Sequence, residues 1–509
     1  MQSITSLLEG VARASVMVFS MLILAGLIAV VVLYFVDTHQ SQQAIRRNYP
    51  VIGRLRYFFE HVGVFFRQYF FAMDREELPF NRAQRSWVAR SAKNIDSTIA
   101  FGSTQPLDKA GQILFLNSMF PKLDEEVAVE NRAPLIFGDG YAKQPYSTYA
   151  FFNISAMSYG ALSAPAIDAL SHGAARANIF LNTGEGALSP FHLSGDCDLV
   201  FQIGTAKYGV CDTDGKLSDE RLKSVASNER VRMFEIKLSQ GAKPGKGGIL
   251  PGSKVTDIIA KTRGIPEGED SISPNRHKEI ACTADLLKMI TRVREVTGKP
   301  TGIKFVLGQA DWLDEFCQEV HRMGLQSAPD FITLDSADGG TGAAPQSLMD
   351  TMGLPIHASL PIVVDKLNEY GLKSRILVIA SGKMVTPSEV AAALCLGADA
   401  VNTARGFMFS LGCIQALQCN KNTCPTGITT HDPKLQKGLD PIVKAVRVAN
   451  YAANMIHEVK VIAHSCGVVN PQELGRKHAF IVNDQGAPMP LDKYHPEVAT
   501  LPQYRNRTE

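Results

Sequence analysis

From residue 150 onward, short runs of apolar and β-branched residues alternate with longer stretches whose apolar positions recur at helical spacing. The runs are Phe152–Met157, Ile179–Thr183, Leu199–Ile203, Met233–Leu238, Gly302–Leu307, Phe331–Asp335, Ile376–Ala380 and Ala400–Thr403. Apolar runs of this length, bounded by glycine and polar residues, read as buried strands. Between them Ala164–Ala177, Thr283–Thr297 and Pro387–Leu396 carry helix patterns. Eight strands separated by helices predict a (β/α)8 TIM barrel, in the α/β class, with its active site at the C-terminal ends of the strands. On pattern alone, a doubly wound open sheet is the alternative.

The N-terminal pattern differs. Ala14 to Val36 forms 23 consecutive residues without a charge, rich in Val, Leu, Ile, Met and Phe. As a helix this segment crosses a hydrocarbon core of about 30 Å. A secretory signal has a shorter apolar region and a small-residue cleavage site, and Tyr34-Phe35-Val36-Asp37 offers none. Only Arg13 precedes the segment, whereas Arg46, Arg47, Arg54, Arg56 and Arg67 follow it. The positive-inside rule then predicts a single-pass inner-membrane protein with its soluble bulk on the cytoplasmic side. Tyr49–Met73 is a second apolar cluster, in which interleaved Arg and Glu residues argue against another crossing. Aromatics mixed with basic residues fit a helix at the membrane interface, and equally a helix packed on the soluble body. The expected organisation is a tail (1–13), a membrane helix (14–36), a juxtamembrane and accessory segment (37–149), the barrel (150–435) and a helical or irregular extension (436–509).

Composition narrows the picture little. The 509 residues are 45% hydrophobic and 20% charged, with net charge +2, which describes a globular enzyme and gives nucleic-acid binding no electrostatic support. The strand ends are more informative. They lead into Ser155-Ala156-Met157-Ser158, Asn182-Thr183-Gly184-Glu185-Gly186, the Gly/Pro/Lys loop Gln240–Gly248, Asp338-Gly339-Gly340, Ser381-Gly382-Lys383 and Thr403-Ala404-Arg405-Gly406. Glycine-rich turns after strands seven and eight are where barrels hold a cofactor phosphate.

Three of nine cysteines, Cys413, Cys419 and Cys424, fall in a C-x5-C-x4-C pattern ending in Cys-Pro. Three soft ligands on irregular backbone suit an iron–sulfur cluster of the [3Fe–4S] type. A chance trio of core cysteines, or a zinc site lacking the usual paired spacing, remains open on spacing alone. A reducing compartment disfavours disulfides.

The segments Ser155–Leu162, Asn182–Gly186, Ile236–Gly252, Asp338–Pro345 and Leu411–Gly427 resemble, in order, the FMN-binding synthase domain of glutamate synthase. In layout the chain is similar to the membrane-anchored, FMN-binding members of that family. The resemblance implies FMN and a [3Fe–4S] cluster on Cys413, Cys419 and Cys424. The reaction it implies is reduction, to glutamate or an N-substituted glutamate, of an imine formed from 2-oxoglutarate and ammonia or an amine. Around the cofactor are expected Ser155, Met157, Ser158, Gln202, Lys304, Asp338, Gly339, Gly340, Gly382, Lys383 and Gly406; Arg405, where the family's usual pattern has no arginine, is expected there from its place in the turn after strand eight. Lys304 is the cation expected to face the flavin, although a snorkelling surface lysine is its bland alternative. Glu185 is expected in acid–base work or amine orientation, and Lys237, Gln240 and Lys243 in substrate binding. Arg276 is a weaker substrate candidate, and Lys246 and His277 read as loop stabilisers. No counterpart of the family's glutaminase domain and no strand–GxGxxG–helix unit is visible. Nitrogen is therefore expected as free ammonia, an amine or a partner's product, and electrons from a separate donor protein or membrane carrier. The alternatives are an FMN barrel oxidising or isomerising another acid, and a non-catalytic membrane electron-transfer subunit.

Overall fold

The computed structural model describes residues 2–96, 98–123, 125–126 and 133–505. The chain divides into two compact units, residues 1–83 and 84–509. The first contains helices α1 (Gln2–His39), α2 (Ala44–Asn48) and α3 (Gly53–Phe66), followed by a π-helical turn, Arg67–Phe71. Among the described residues, one helical segment is long and apolar enough to cross a membrane, Gly10–His39, with mean hydropathy 3.0.

The second unit is built on a closed barrel of eight parallel strands, which excludes the open sheet. They are β1 (Phe152–Ile154), β2 (Leu181–Asn182), β3 (Leu199–Ile203), β4 (Val231–Lys237), β5 (Thr301–Val306), β6 (Phe331–Asp335), β7 (Leu377–Ser381) and β8 (Ala400–Thr403). Each pairs with its neighbour in sequence, and β8 closes on β1 with Val401 opposite Phe152 and Thr403 opposite Ile154. The first two strands are shorter than the apolar runs suggest. Ser155 and Met157 still donate backbone bonds to Thr403 and Asn182, but the chain there leaves the ladder to line the mouth.

Among the described residues, eight helices of seven or more residues follow these strands up to Leu411. They are α4 (Ala164–Ala177), α5 (Asp219–Ala226), α6 (Asp257–Arg263), α7 (Thr283–Thr297), α8 (Asp311–Met323), α9 (Ile356–Glu369), α10 (Pro387–Cys395) and α11 (Arg405–Leu411). A further helix, α12 (Pro441–Ser465), lies beyond residue 435 and packs on α4, α10 and α11, so it completes the helical layer. The approach of α4 to α12 requires Gly173. A Cβ there would sit 2.4 Å from Val448 side-chain atoms and 2.9 Å from the Ala445 carbonyl. Ser163 caps the start of α4, and Asn178 ends it in the left-handed conformation.

The barrel floor is apolar. Phe180, Val200, Met233, Phe331, Ile379 and Ala400, near the strand starts, pack around Phe137 and Tyr146 of the hairpin Leu135–Phe137/Tyr146–Thr148. Phe137 meets Phe331 edge-on at 5.6 Å. That plug shuts the N-terminal end, leaving the C-terminal mouth for polar side chains.

Candidate active site

Alternation along β4 turns Glu235 and Lys237 to the same face of the strand, although both faces are buried. Glu235 accepts bonds from Asn182 Nδ2 (2.8 Å), Gln202 Nε2 (2.7 Å) and Thr333 Oγ1 (2.5 Å), contributed by β2, β3 and β6. Next to this network, Lys304 on β5 is buried, not snorkelling, and pairs with Asp335 of β6 at 3.3 Å. Burial by itself would pull the ammonium's pKa down. The Asp335 and Glu235 carboxyls outweigh it and hold Lys304 above its ordinary value.

Above this layer, Lys237 Nζ pairs with Glu185 Oε2 at 2.8 Å and also donates to Gln240, whose Nε2 donates to Thr341 at 2.9 Å. Lys243 completes the group through its electrostatic coupling to Lys237 and Glu185. Burial favours a neutral Glu185, but Lys237, Lys243 and Arg263 prevail and keep its carboxyl below the usual range. Lys243 moves the other way, down to about 8, through burial and then repulsion from Lys237. The carboxylate sits in a cradle of glycines. A Cβ on Gly248 would lie 2.5 Å from its Oε1, and one on Gly204 would lie 2.6 Å from the Glu185 Cβ. His277 is buried, and its Nε2 meets the Lys237 carbonyl at 3.0 Å, bracing the strand end. Arg276 donates to the carbonyls of His277 and Ile280, so these bonds hold its own loop. Lys246 is exposed.

The third group lies at the ends of β6, β7 and β8. Lys383 pairs with Asp338 at 3.3 Å, and Arg405 Nη2 donates to the Asp338 carbonyl at 3.0 Å. Ser336 donates to Asp338 Oδ1, and Gly339 N–H closes the turn onto Ser336 O. A side chain at Gly340 would meet Arg405 at 2.9 Å. Ser155 Oγ and Ser381 Oγ stand 3.3 Å apart across the β1–β7 side of the mouth. Met157 and Ser158 engage chiefly through backbone, with the Met157 carbonyl meeting His192 Nε2 at 3.2 Å. Gly382 (φ 143°) packs on Ser336, whereas the bare face of Gly406 is taken by the Tyr451 hydroxyl, which a Cβ would meet at 2.3 Å. Gly406 therefore has a packing reason of its own.

The cysteine loop follows α11 and runs through left-handed backbone at Gly412, Gln415, Leu417, Asn422 and Gly427. None of the three cysteines is in a disulfide. Gln415 N–H points at Cys413 Sγ (3.4 Å), and the Thr426 hydroxyl lies 3.3 Å from Cys424 Sγ. Lys254 is buried and donates to the carbonyls of Ala161 (2.9 Å) and Cys419 (3.3 Å), tying this loop to the β1 exit. Among the described residues no group of three His, Cys, Asp or Glu is drawn together to hold a single ion.

Three residues of these networks escape a sequence reading. Glu235 had a usable signal, a lone acid two positions before Lys237 in an apolar strand. Arg263 and Lys254 had none. Arg263, at the end of α6, is buried with its Nη2 on the Tyr159 carbonyl (3.2 Å), its guanidinium over the Tyr208 ring and its Nε without a partner.

A closed barrel with a paired carboxylate and lysine cluster at its C-terminal mouth defines an α/β-barrel enzyme. A family profile described as "Conserved region in glutamate synthase" matches residues 93–469. The chain is 39% identical over 497 residues to the "Glutamate synthase large subunit-like protein YerD" of Bacillus subtilis (strain 168), covering 90% of this chain and 94% of that one. It is 36% identical over 329 residues to the "Archaeal glutamate synthase [NADPH]" of Methanocaldococcus jannaschii, covering 63% of this chain and 60% of that protein's length. A solved chimera of (S)-mandelate dehydrogenase superposes with a TM-score of only 0.45 at 13% identity, over 78% of this chain and 98% of that one. The chain belongs to the glutamate synthase family, oxidoreductases acting on CH–NH2 groups.

Proposed function

We propose that the protein reduces the imine formed from a 2-oxo dicarboxylic acid of the 2-oxoglutarate type and ammonia or an amine, using FMN and a [3Fe–4S] cluster. The observation that carries this reading is the Glu185–Lys237–Gln240–Lys243 cluster beside the buried Lys304–Asp335 pair at one barrel mouth.

The residues present fit FMN. Lys383 pairs with the Asp338 carboxylate and Arg405 donates to the Asp338 main-chain carbonyl, so two cations gather around one carboxylate where a phosphate would sit. Glu235 claims the Gln202 amide nitrogen and so leaves its carbonyl oxygen for a ring N–H. Lys304 places a permanent cation within the barrel for an anionic ring. When bound, FMN would supply hydride to the imine carbon. The three cysteines also fit a cluster. A mononuclear ion draws every thiolate to about 2.3 Å from one point, whereas a cluster takes one thiolate per iron and keeps them apart. Cys413, Cys419 and Cys424 would hold it, and it would supply single electrons.

The chain's own groups account for substrate handling. Lys237, Lys243 and Arg263 present cationic charge to a dicarboxylate. Glu185, held ionised, orients an incoming ammonium or takes a proton from it, and is poorly suited to act as the acid. The 10–39 helix would anchor the protein in the inner membrane with the barrel on the cytoplasmic side, near a separate electron donor.

The test is anaerobic purification, then addition of 2-oxoglutarate and ammonium to the dithionite-reduced protein, followed by absorbance and EPR spectroscopy. The protein before reduction is expected to show an oxidised-cluster EPR signal that Cys419→Ser removes, and the reduced protein to reoxidise its flavin with glutamate formation. Flavin without turnover on any oxo acid plus amine would point to an electron-transfer subunit. Absence of both flavin and cluster would overturn the cofactor reading.

Lys243 gives the site a pH dependence. Its cationic form dominates below about 8 and is lost as pH rises through that value. KM for the oxo acid is therefore expected to rise about tenfold from pH 7 to 9, following the charged fraction, with kcat less affected. Lys243→Arg, which stays charged, is expected to flatten the profile. A wild-type KM that is constant across this range would remove Lys243 from carboxylate binding.

A further inference from the structure

Residues 37–71 hold a feature that the enzymatic reading does not use. Asp37, in the last turn of α1, is fully buried, an unusual place for a carboxylate. Two cations and one amide satisfy it: Arg46 Nη2 at 2.7 Å, Arg54 Nη2 at 2.8 Å and the Val51 N–H at 3.0 Å. Gln40 and Gln43 close the turn between these groups, with the Gln43 N–H on Gln40 Oε1 at 2.8 Å and Gln40 Nε2 on the Gln43 carbonyl at 2.8 Å. Arg54 lies in the first turn of α3, so the first turn of α3 is bonded to the last turn of the apolar helix.

What α3 and the π-helical turn then present is apolar and uncovered. Phe58, Phe59, Phe65, Phe66, Phe70 and Phe71 are all exposed, Phe70 and Phe71 by 75% and 73%. Water-facing surfaces of soluble proteins rarely carry so large an apolar patch. Arg56 and Arg67 interleave with these rings, and Glu60 is the one acid in the stretch. Aromatic rings alternating with guanidinium groups match the acyl–headgroup boundary, where rings enter the interface and cations meet anionic headgroups.

We infer that the Asp37–Arg46–Arg54 elbow holds α3 and its π-helical turn at the level where α1 leaves the bilayer, and that their aromatic face docks on the anionic lipid surface there. The occupant is lipid rather than a second copy, because the elbow fixes the patch to the end of a membrane-length helix and its charge complements acidic headgroups. The inference rests on α1 spanning a bilayer and is independent of the proposed reaction.

The test uses the full chain reconstituted in vesicles of phosphatidylcholine and phosphatidylglycerol, with tryptophan placed by Phe59→Trp, Phe70→Trp or, as a control within α1, Leu24→Trp. Lipids brominated high or low on the acyl chain report depth by quenching, read as the difference from the parent chain. Tryptophans at 59 and 70 are expected to be quenched by the shallow bromines and the control at 24 by the deep ones. Adding Asp37→Asn is expected to abolish the shallow quenching at 70 while leaving the control unchanged. Quenching at 24 with none at 59 or 70 would overturn the docking and place the patch against protein. No quenching at any position would overturn the membrane span as well. Shallow quenching that survives Asp37→Asn would overturn the elbow's part.

Discussion

Glu185→Gln is expected to fold, to bind flavin and to lose turnover by about 10²–10⁴-fold, the usual contribution of a positioned proton-transfer group. The substitution is close to isosteric, which matters because Gly204 and Gly248 leave little room around the side chain. What it removes is charge. Lys237, Lys243 and Arg263 hold Glu185 ionised against the pull of burial, so at neutral pH it can accept a proton or grip an ammonium, and an amide does neither. Lys237 would also lose its 2.8 Å ionic partner, keeping a neutral amide oxygen there and Gln240. The measurement is kcat and KM with 2-oxoglutarate and ammonium under a chemical reductant, alongside flavin content. A loss confined to kcat identifies proton handling. A loss shared with KM shows that the carboxylate also aligns Lys237 for substrate binding. Retention of kcat within tenfold would leave Glu185 as a brace for Lys237 and move the base elsewhere.

The ease with which the barrel reads from sequence, and the difficulty of reading the site, have one physical origin. Strands of a parallel barrel are buried on both faces, so each appears as a continuous apolar run, and Leu199–Ile203, Phe331–Asp335 and Ala400–Thr403 coincide with their runs. Helices α4 and α7 likewise match their periodic segments, because a capping Ser163 and terminal Asn178 or Gly298 mark the ends locally. Glu185, Lys237 and Gln240 are legible because they lie at or just after strand ends, and the barrel alone decides where a strand end points. Arg263 reaches the mouth through α6, and Lys254 through the loop before it. Their placement depends on the course of the 239–280 segment and not on any local pattern. Glu235 is the intermediate case. Its strand position was legible, but its three partners come from β2, β3 and β6, and only closure of the barrel brings them together.

Closure also explains why Lys304→Met is expected to be the most destabilising single substitution at the mouth, by about 3–5 kcal/mol, the cost of leaving a buried charge without its partner. Lys304 is held above its ordinary pKa: burial opposes the ammonium, and Asp335 and Glu235 outweigh burial. Removing the cation leaves Asp335, which also holds the Gly241 N–H at 3.0 Å, without its ion-pair partner and the Glu235 network without the positive charge of Lys304. Denaturant unfolding should show the midpoint falling with little change in slope. The double variant Lys304→Met/Asp335→Asn should recover much of the loss, since it removes both members of the pair. The pH dependence has a definite sign. A lysine whose folded pKa is raised contributes stability that is fully present below its unfolded value of about 10.4 and lost as pH rises through the folded value. The gap between wild type and Lys304→Met should therefore stay constant through neutral pH and narrow only in strong alkali. A gap below about 1 kcal/mol would instead mark a solvated pair of the kind found on surfaces. In that case the barrel mouth would be wetter than the burial of Lys304 and Asp335 implies, and the case for a preorganised cation under an anionic ring would fall with it.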